Sequence, residues 1–325
     1  MLSRIAESLF WIGRYVERAD DTARILDVHT QRLVEDPWID ERRACANLLG
    51  LMGSPTAVGA EGWETAQREA DTELVLSRLA FDRSSPGSIV GALSAARENA
   101  RGAREVLSAE IWESLNVTHN ALPQQRTMAR RYGPHSLFRF VRERSAMVFG
   151  LADATMSRDE SWLFLILGRS LERVDMTSRI ISTRVLAGDA APSWTLVLRS
   201  TGAYEPYLRT YRGMVNSSRA AEFLLLDRLF PRSVFAALEQ AEACLVELER
   251  STVRDAARIG VAGEAHRIVG RARTMLEFMS PPELLAQLPA RLEELQRTCS
   301  AASAAVTHRF FTEQAPQVWV PEEAG

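Results

Sequence analysis

Lysine is absent from the chain, and all 39 basic residues are arginine. That absence rules out a Schiff-base lysine, a P-loop lysine or a Ser-Lys dyad supplied by this polypeptide. Cysteine is scarce. Cys45, Cys244 and Cys299 are odd in number and far apart, which predicts reduced thiols and no disulfide framework. Histidine is scarce as well, and His29, His119, His135, His266 and His308 form no HExxH or ExxH pattern, so no metal site is expected. Positive charge is not in excess. A formal net charge of -3 argues against nucleic acid as a partner, because neutralising many phosphates needs a basic surface. Long apolar runs are missing too. The stretch Trp162–Leu167 is far shorter than a membrane span, and Met1–Trp11 carries Arg4 and Glu7 without a signal-type cleavage site. The expectation is a cytoplasmic protein that does not insert in a membrane.

What is present is helical periodicity from end to end. At 325 residues, 46% hydrophobic and 25% charged, the chain has the length and composition to bury a sizeable core. Runs of alternating β-branched residues are almost absent, so the predicted fold is all-α. Helices are expected over 3–34, 39–52, 63–81, 84–115, 136–155 and 157–186. Shorter ones follow near 194–201 and 205–213, and then 217–229, 231–251, 263–279 and 282–311 form an antiparallel series with short connections. The serine pair Ser84-Ser85 before Pro86 is read as the cap of the helix over 84–115, and 120–135 as a polar connection. Residues 53–62 are read as a loop. The expected organisation is a single helical domain over 1–311, with two pseudo-symmetric half-bundles at 1–155 and 156–311 as its internal division. Residues 312–325 are a tail, read either as docked on a neighbouring surface through Trp319 or as a disordered end.

One string occurs twice, as Gly-Arg-x-x-Glu-Arg-x-Asp-x-Thr-x-Arg, in helices over 9–28 and 164–183. Between Gly13–Ile25 and Gly168–Ile180, eight of thirteen positions are identical. A helix advances about 100° per residue, so Gly13, Glu17, Asp20 and Arg24 share a face, as do Gly168, Glu172, Asp175 and Arg179. Leu165 and Met176 stand in the second copy where Phe10 and Asp21 stand in the first, which predicts the second stripe to lie deeper. Buried charges need partners. Two arrangements provide them. In one, the stripes face each other across a pseudo-twofold bundle as a salt-bridge network. In the other they line a polar cleft, where Arg14, Arg18, Arg169 and Arg173 clamp an anionic group while Glu17 and Glu172 orient an amine or handle a proton. The candidate polar site is therefore Arg14, Glu17, Arg18, Asp20, Arg24, Arg169, Glu172, Arg173, Asp175 and Arg179.

Glu98, Arg101 and Glu105 recur with Ser108 and Trp112 on one helical face and are the candidate third wall of that site; intrahelical pairing is the plainer account. Arg126, Arg130, Arg131, Arg139, Arg142 and Arg144 form the one clear local basic excess, read as a solvated face or an anion-docking patch. Asp20-Asp21 superficially matches the paired aspartates of helical isoprenoid synthases. The second copy reads Asp175-Met176, which breaks the pair.

The Glu-Arg pairs 17–18 and 172–173, the segment WLFLILGRSLERVDMT at 162–177, EIWESLN at 110–116 and LLLDRLFPRSV at 224–234 together resemble the alpha-E family, a bacterial helical family named for its Glu-Arg motif. The resemblance extends to about Phe311. Members of that family occur beside or fused to circularly permuted ATP-grasp proteins and transglutaminase-like peptidases. The resemblance thus implies a helical accessory or substrate-binding component of a peptide ligation or tagging system. An ATP-grasp protein would be its partner, with ATP and Mg bound there, and a transglutaminase-like peptidase a second; a peptide or small anionic substrate is the expected ligand. No cofactor is expected on this chain, and no residue is carried over as catalytic. Two other readings stand beside this one: an enzyme acting on an anionic peptide-like substrate through the stripes, and an architectural scaffold.

Overall fold

Helix α1 spans Ser3–Glu35 and stops where Asp36 turns to extended backbone, as expected for the residue before a proline. In the computed structural model the described residues are 1–36, 38–53, 70–186, 193–252 and 263–311. All secondary structure among them is helical. α2 (Glu41–Leu51) and α3 (Thr72–Val75, continued by a π-helical turn to Phe81) precede α4 (Ile89–Gly102), α5 (Ala109–Tyr132) and α6 (His135–Thr155). The long α7 (Glu160–Leu186) leads through α8 (Trp194–Ser200), α9 (Tyr204–Tyr211) and α10 (Ser217–Leu226) to α11 (Val234–Thr252). α12 (Glu264–Phe278), α13 (Pro281–Ala286) and α14 (Leu288–Val306, with a π-helical turn to Phe311) follow. The loop expected at 53–62, the start of the helix expected at 63 and the tail lie largely outside the described residues.

Three boundaries differ from expectation for identifiable reasons. The helix expected over 84–115 is two helices. Ser88, not Ser84, caps α4 by accepting from the Gly91 amide at 2.9 Å. Gly102 ends α4, and Ser108 caps α5 by accepting from the Ile111 amide at 3.3 Å. A poor helix former followed by a good cap outweighs the continuous polar stripe that joined 98 to 112. The polar connection expected at 120–135 is instead the second half of α5. Pro123 lies inside it with its ring exposed, while Leu115, Thr118, Leu122 and Ala129 keep one face buried, and that packing offsets the proline's missing donor. α5 ends at Gly133, whose φ of 93° suits glycine. The helix expected over 282–311 breaks at Gln287 into α13 and α14.

Packing has a repeated order. α1, α4, α5 and α6 contact one another in a cycle, and α7, α11, α12 and α14 do the same in the same sequence. α1 and α7 pack side by side where the two groups meet. α2 lies against α7, and α8 against α1, so each group reaches across to the other's central helix. α2 and α8 are both followed by a left-handed glycine, Gly53 and Gly202, each at φ 68°. The apolar core is continuous through both groups, and Phe10, Leu9, Ile12, Phe138, Phe235 and Leu171 are fully enclosed.

Candidate functional site

α1 and α7 approach closely because each has a glycine at the crossing. A Cβ on Gly13 would fall on the Leu165 carbonyl and 2.8 Å from the Arg169 nitrogen. A Cβ on Gly168 would fall on the Phe10 carbonyl and 2.9 Å from its carbon. Phe10 and Leu165 hold matching places in the two copies, so the contact is reciprocal. The glycines clear space for the facing backbone, not for their own helix's carboxylate.

That approach brings the two charged stripes together with their partners exchanged. Glu172 accepts from Arg14 Nε at 2.7 Å and from Arg18 Nε at 2.5 Å, with Arg18 Nη2 closing a second bond at 2.9 Å. Glu17 accepts from Arg173 Nε at 2.6 Å and pairs with Arg169 at 3.4 Å. Each glutamate is therefore held by the two arginines of the opposite helix. Within each helix, Arg24 binds Asp20 at 3.0 Å and Arg179 binds Asp175 at 2.9 Å. The ten candidate residues thus gather into two adjoining clusters.

The clusters are closed. Glu17 and Glu172 are 1% and 0% exposed, and Arg14 and Arg173 are 7% exposed. Burial alone would raise the glutamates' pKa values, but the arginines outweigh it and hold each at about 2. The second stripe is not the deeper one throughout. Asp175 is 9% exposed against 3% for Asp20, because the second cluster lacks a cover that the first possesses.

That cover is Arg232, in the loop before α11, which sequence reasoning missed. Its guanidinium donates to Asp20, to Asp21 at 2.6 Å and reaches Glu17 at 3.2 Å. Burial opposes its charge, yet the three carboxylates raise its pKa. Asp21 has no second strong partner. Burial, with Glu17 and Asp20 beside it, raises its carboxyl to about 7 against the pull of Arg232. Glu17, Asp20 and Asp21 place carboxylate oxygens within 4.8 Å of one another, a spacing that suits a cation, and Arg232 takes that position.

A second repeat carries this loop. Asp82–Leu93 reads DRSSPGSIVGAL and Asp227–Leu238 reads DRLFPRSVFAAL, with six of twelve positions identical. Ser88 and Ser233 each donate to the carbonyl of the aspartate six residues back, and each caps the following helix. Arg18 donates to the Pro86 carbonyl at 3.3 Å and Arg173 to the Pro231 carbonyl at 2.9 Å. The signal was legible as a Asp-Arg-x-x-Pro-x-Ser string, but its copies stand 145 residues apart where those of the central helix stand 155 apart.

Glu98, Arg101 and Glu105 do not join the site. Glu98 and Arg101 pair with each other at 3.0 Å with side chains more than half exposed, and Glu105 is exposed beyond the end of α4. The break at Gly102 removes the stripe that would have made a wall. The basic segment is partly spent on structure: Arg142 binds Asp27, Arg144 binds Thr118 and Ser114, and Arg126 covers Phe81. Cys45 lies 3.6 Å from His29, but burial raises the thiol to about 11 and lowers the imidazole to about 4. The pair is neutral and not an activated nucleophile. The three cysteines are free and buried. No helix among the described residues is long and apolar enough to cross a membrane.

Comparison with known proteins agrees with the helical centre. The Alpha-E family, described as a predicted alpha-helical domain with a conserved ER motif, matches residues 1–311. The chain is 27% identical over 300 residues to the uncharacterized protein Mb2597 of Mycobacterium bovis, a match covering 86% of this chain and 33% of that protein. Rv2567 of Mycobacterium tuberculosis, also uncharacterized by name, shares the same identity and coverage. The chain spans about a third of the length of these relatives. No solved structure matches.

Proposed function

The chain belongs to the Alpha-E family, and from the closed charge network at its centre we propose that it is a helical accessory, substrate-binding component of an ATP-grasp-linked peptide ligation or tagging system. In this reading the Glu-Arg helices are a lock between two groups of helices and perform no chemistry. The observation that carries it is the enclosure of Glu17 and Glu172, at 1% and 0% exposed, each engaged by two arginines of the facing helix. A general base must reach the proton it takes and hold a pKa near the working pH. Carboxyls held at about 2 and sealed from solvent meet neither condition.

Two further points support the accessory role. The sequence contains no lysine, so this chain brings no P-loop lysine for nucleotide chemistry. The matched relatives carry about twice as much polypeptide again outside the shared region, which fits a helical unit that works in company.

The test has two arms. Copurification with a circularly permuted ATP-grasp protein of the same organism is expected to give a stable complex, and failure to associate with or without nucleotide and peptide would sink the accessory reading. Glu17→Gln and Glu172→Gln are expected to lower the melting temperature. If both variants melt like the parent while the system's ligation activity disappears, the stripes are an active site and the lock is wrong.

A further inference from the structure

Between Glu113 and Glu143 the chain contains no acidic residue, while Arg126, Arg130, Arg131, Arg139 and Arg142 fall in that interval. They occupy the end of α5 and the start of α6, so the turn at Gly133 draws them to one end of the first group of helices. Two carboxylates reach them from outside the interval. Asp27 on α1 takes Arg142 at 3.3 Å and lies 2.6 Å from His135, and Glu143 stands 3.8 Å from Arg139. Arg126 lies over the Phe81 ring and Arg131 over that of Tyr132, contacts that leave the charge uncancelled. Among the described residues, Arg126, Arg130 and Arg131 have no carboxylate partner.

The second group of helices handles its arginines differently. α12 and α14 hold the places of α5 and α6, and there Arg273 pairs with Glu242 and Glu277, Arg291 with Glu294, and Arg297 with Glu293. Arginine is frequent in both groups because the chain has no lysine. The contrast therefore lies in where acids are withheld. The uncancelled end also carries exposed apolar side chains, with Tyr132 at 64% and Met128 at 42% exposed. Met128, Arg131 and Tyr132 are spaced i, i+3 and i+4 and share a face of α5. Methionine, tyrosine and arginine are the residue types that protein interfaces favour.

We propose that the α5–α6 turn is the docking surface for an acidic segment of a partner protein. Carboxylates of that segment bind Arg130 and Arg131 by charge-assisted hydrogen bonds, and its apolar side chains cover Met128 and Tyr132. A short segment fits because two packed helices offer a face about 20 Å across. A nucleic acid or an anionic membrane would extend further. α1 continues from Asp27 to Glu35 past the start of α6, so Glu35, Asp36, Asp40 and Glu41 stand at the same end and would repel an extended polyanion. The inference does not rest on the ligation reading and stands or falls separately from it.

Fluorescence anisotropy of the full chain with a fluorescein-labelled glutamate-rich peptide carrying one leucine, at low ionic strength, tests it. Wild type is expected to bind, and Arg130→Glu with Arg131→Glu to bind about tenfold more weakly or less. Tyr132→Ser is expected to weaken binding severalfold. Arg271→Glu with Arg297→Glu makes the same charge change on exposed positions of the second group and is expected to leave binding unchanged. No binding by wild type overturns the proposal, as does equal weakening by the second-group pair. A single-stranded oligonucleotide or a phosphatidylserine vesicle that binds more tightly than the peptide, and is lost in the Arg130 and Arg131 variant, overturns it too. If charge reversal lowers the melting temperature, Arg130→Gln with Arg131→Gln decides instead, with weaker binding expected and unchanged binding overturning the proposal.

Discussion

The cluster around Glu17 and the cluster around Glu172 use the same helix, the same exchanged arginines and the same proline carbonyl, yet they solve their charge problem differently. The first adds an aspartate and an arginine, Asp21 and Arg232, and closes over them. The second omits both, satisfies Glu172 with a two-pronged Arg18, and leaves Asp175 more exposed than Asp20, at 9% against 3%. Pairs of opposite charge are gained or lost together in a buried network, because either partner alone is an uncompensated ion. The omission in the second cluster is electrically balanced.

The largest effect on this comparison comes from closing the crossing itself. Gly13→Ala and Gly168→Ala each drive a methyl into facing backbone, which cannot swing aside as a side chain does. Each is expected to cost about 5 kcal/mol or more, at the upper end for single substitutions, and to lower the denaturation midpoint or prevent folding. Similar losses from both would support the reciprocal geometry; a tolerated alanine at either would break it.

Next come the glutamates. Removing one partner of a buried ion pair costs about 3–5 kcal/mol. Glu172→Gln should lie above Glu17→Gln within that range, because Arg14 and Arg18 have no other carboxylate as close. After Glu17→Gln, Arg232 still has Asp20 and Asp21. Urea denaturation of both variants measures the order.

A smaller effect sharpens the comparison. Arg232→Gly alone strands two buried carboxyls and is expected to cost about 3 kcal/mol. Combined with Asp21→Met, which converts the first cluster into the second, it should cost about 1 kcal/mol. A double-mutant cycle with no coupling would show that the two clusters do not correspond.

The weakest handle is pH. Asp21 is raised to about 7 in the fold from 3.8, so its contribution is fully present below the unfolded value and is lost as pH rises through the folded one. Glu17 and Glu172 work in the opposite sense. Lowered to about 2 from 4.5, they contribute above the unfolded value, and that contribution is lost as pH falls toward the folded one. Stability measured between about pH 5 and 8 should therefore decline with pH, and Asp21→Asn should flatten that decline. An unchanged slope would remove Asp21 from the account.

Much of the centre was legible in the chain. The eight matched positions of the central helices placed Glu17 with Asp20 and Glu172 with Asp175 on shared faces, and the structure keeps those faces. Periodicity located most helices, since apolar spacing reports burial directly. It misjudged 84–135 because polar residues on one face continued in register past Gly102, while the capping geometry of Ser108 restarts the helix. The third wall of Glu98, Arg101 and Glu105 failed with that helix.

The sequence by itself determined that two copies of one charged helix exist, that each must find countercharges, and that each carries a glycine. A repeat is one-dimensional information, and a helix fixes which residues share its face. Only the tertiary structure decided which arginine serves which glutamate, and it chose the facing helix in both cases. It also brought Arg232, more than two hundred residues away, onto Asp20 and Asp21 and left Gly87 in the matching place. The physical reason is that Coulomb attraction and desolvation depend on distance and enclosure in space, and neither is written in spacing along the chain.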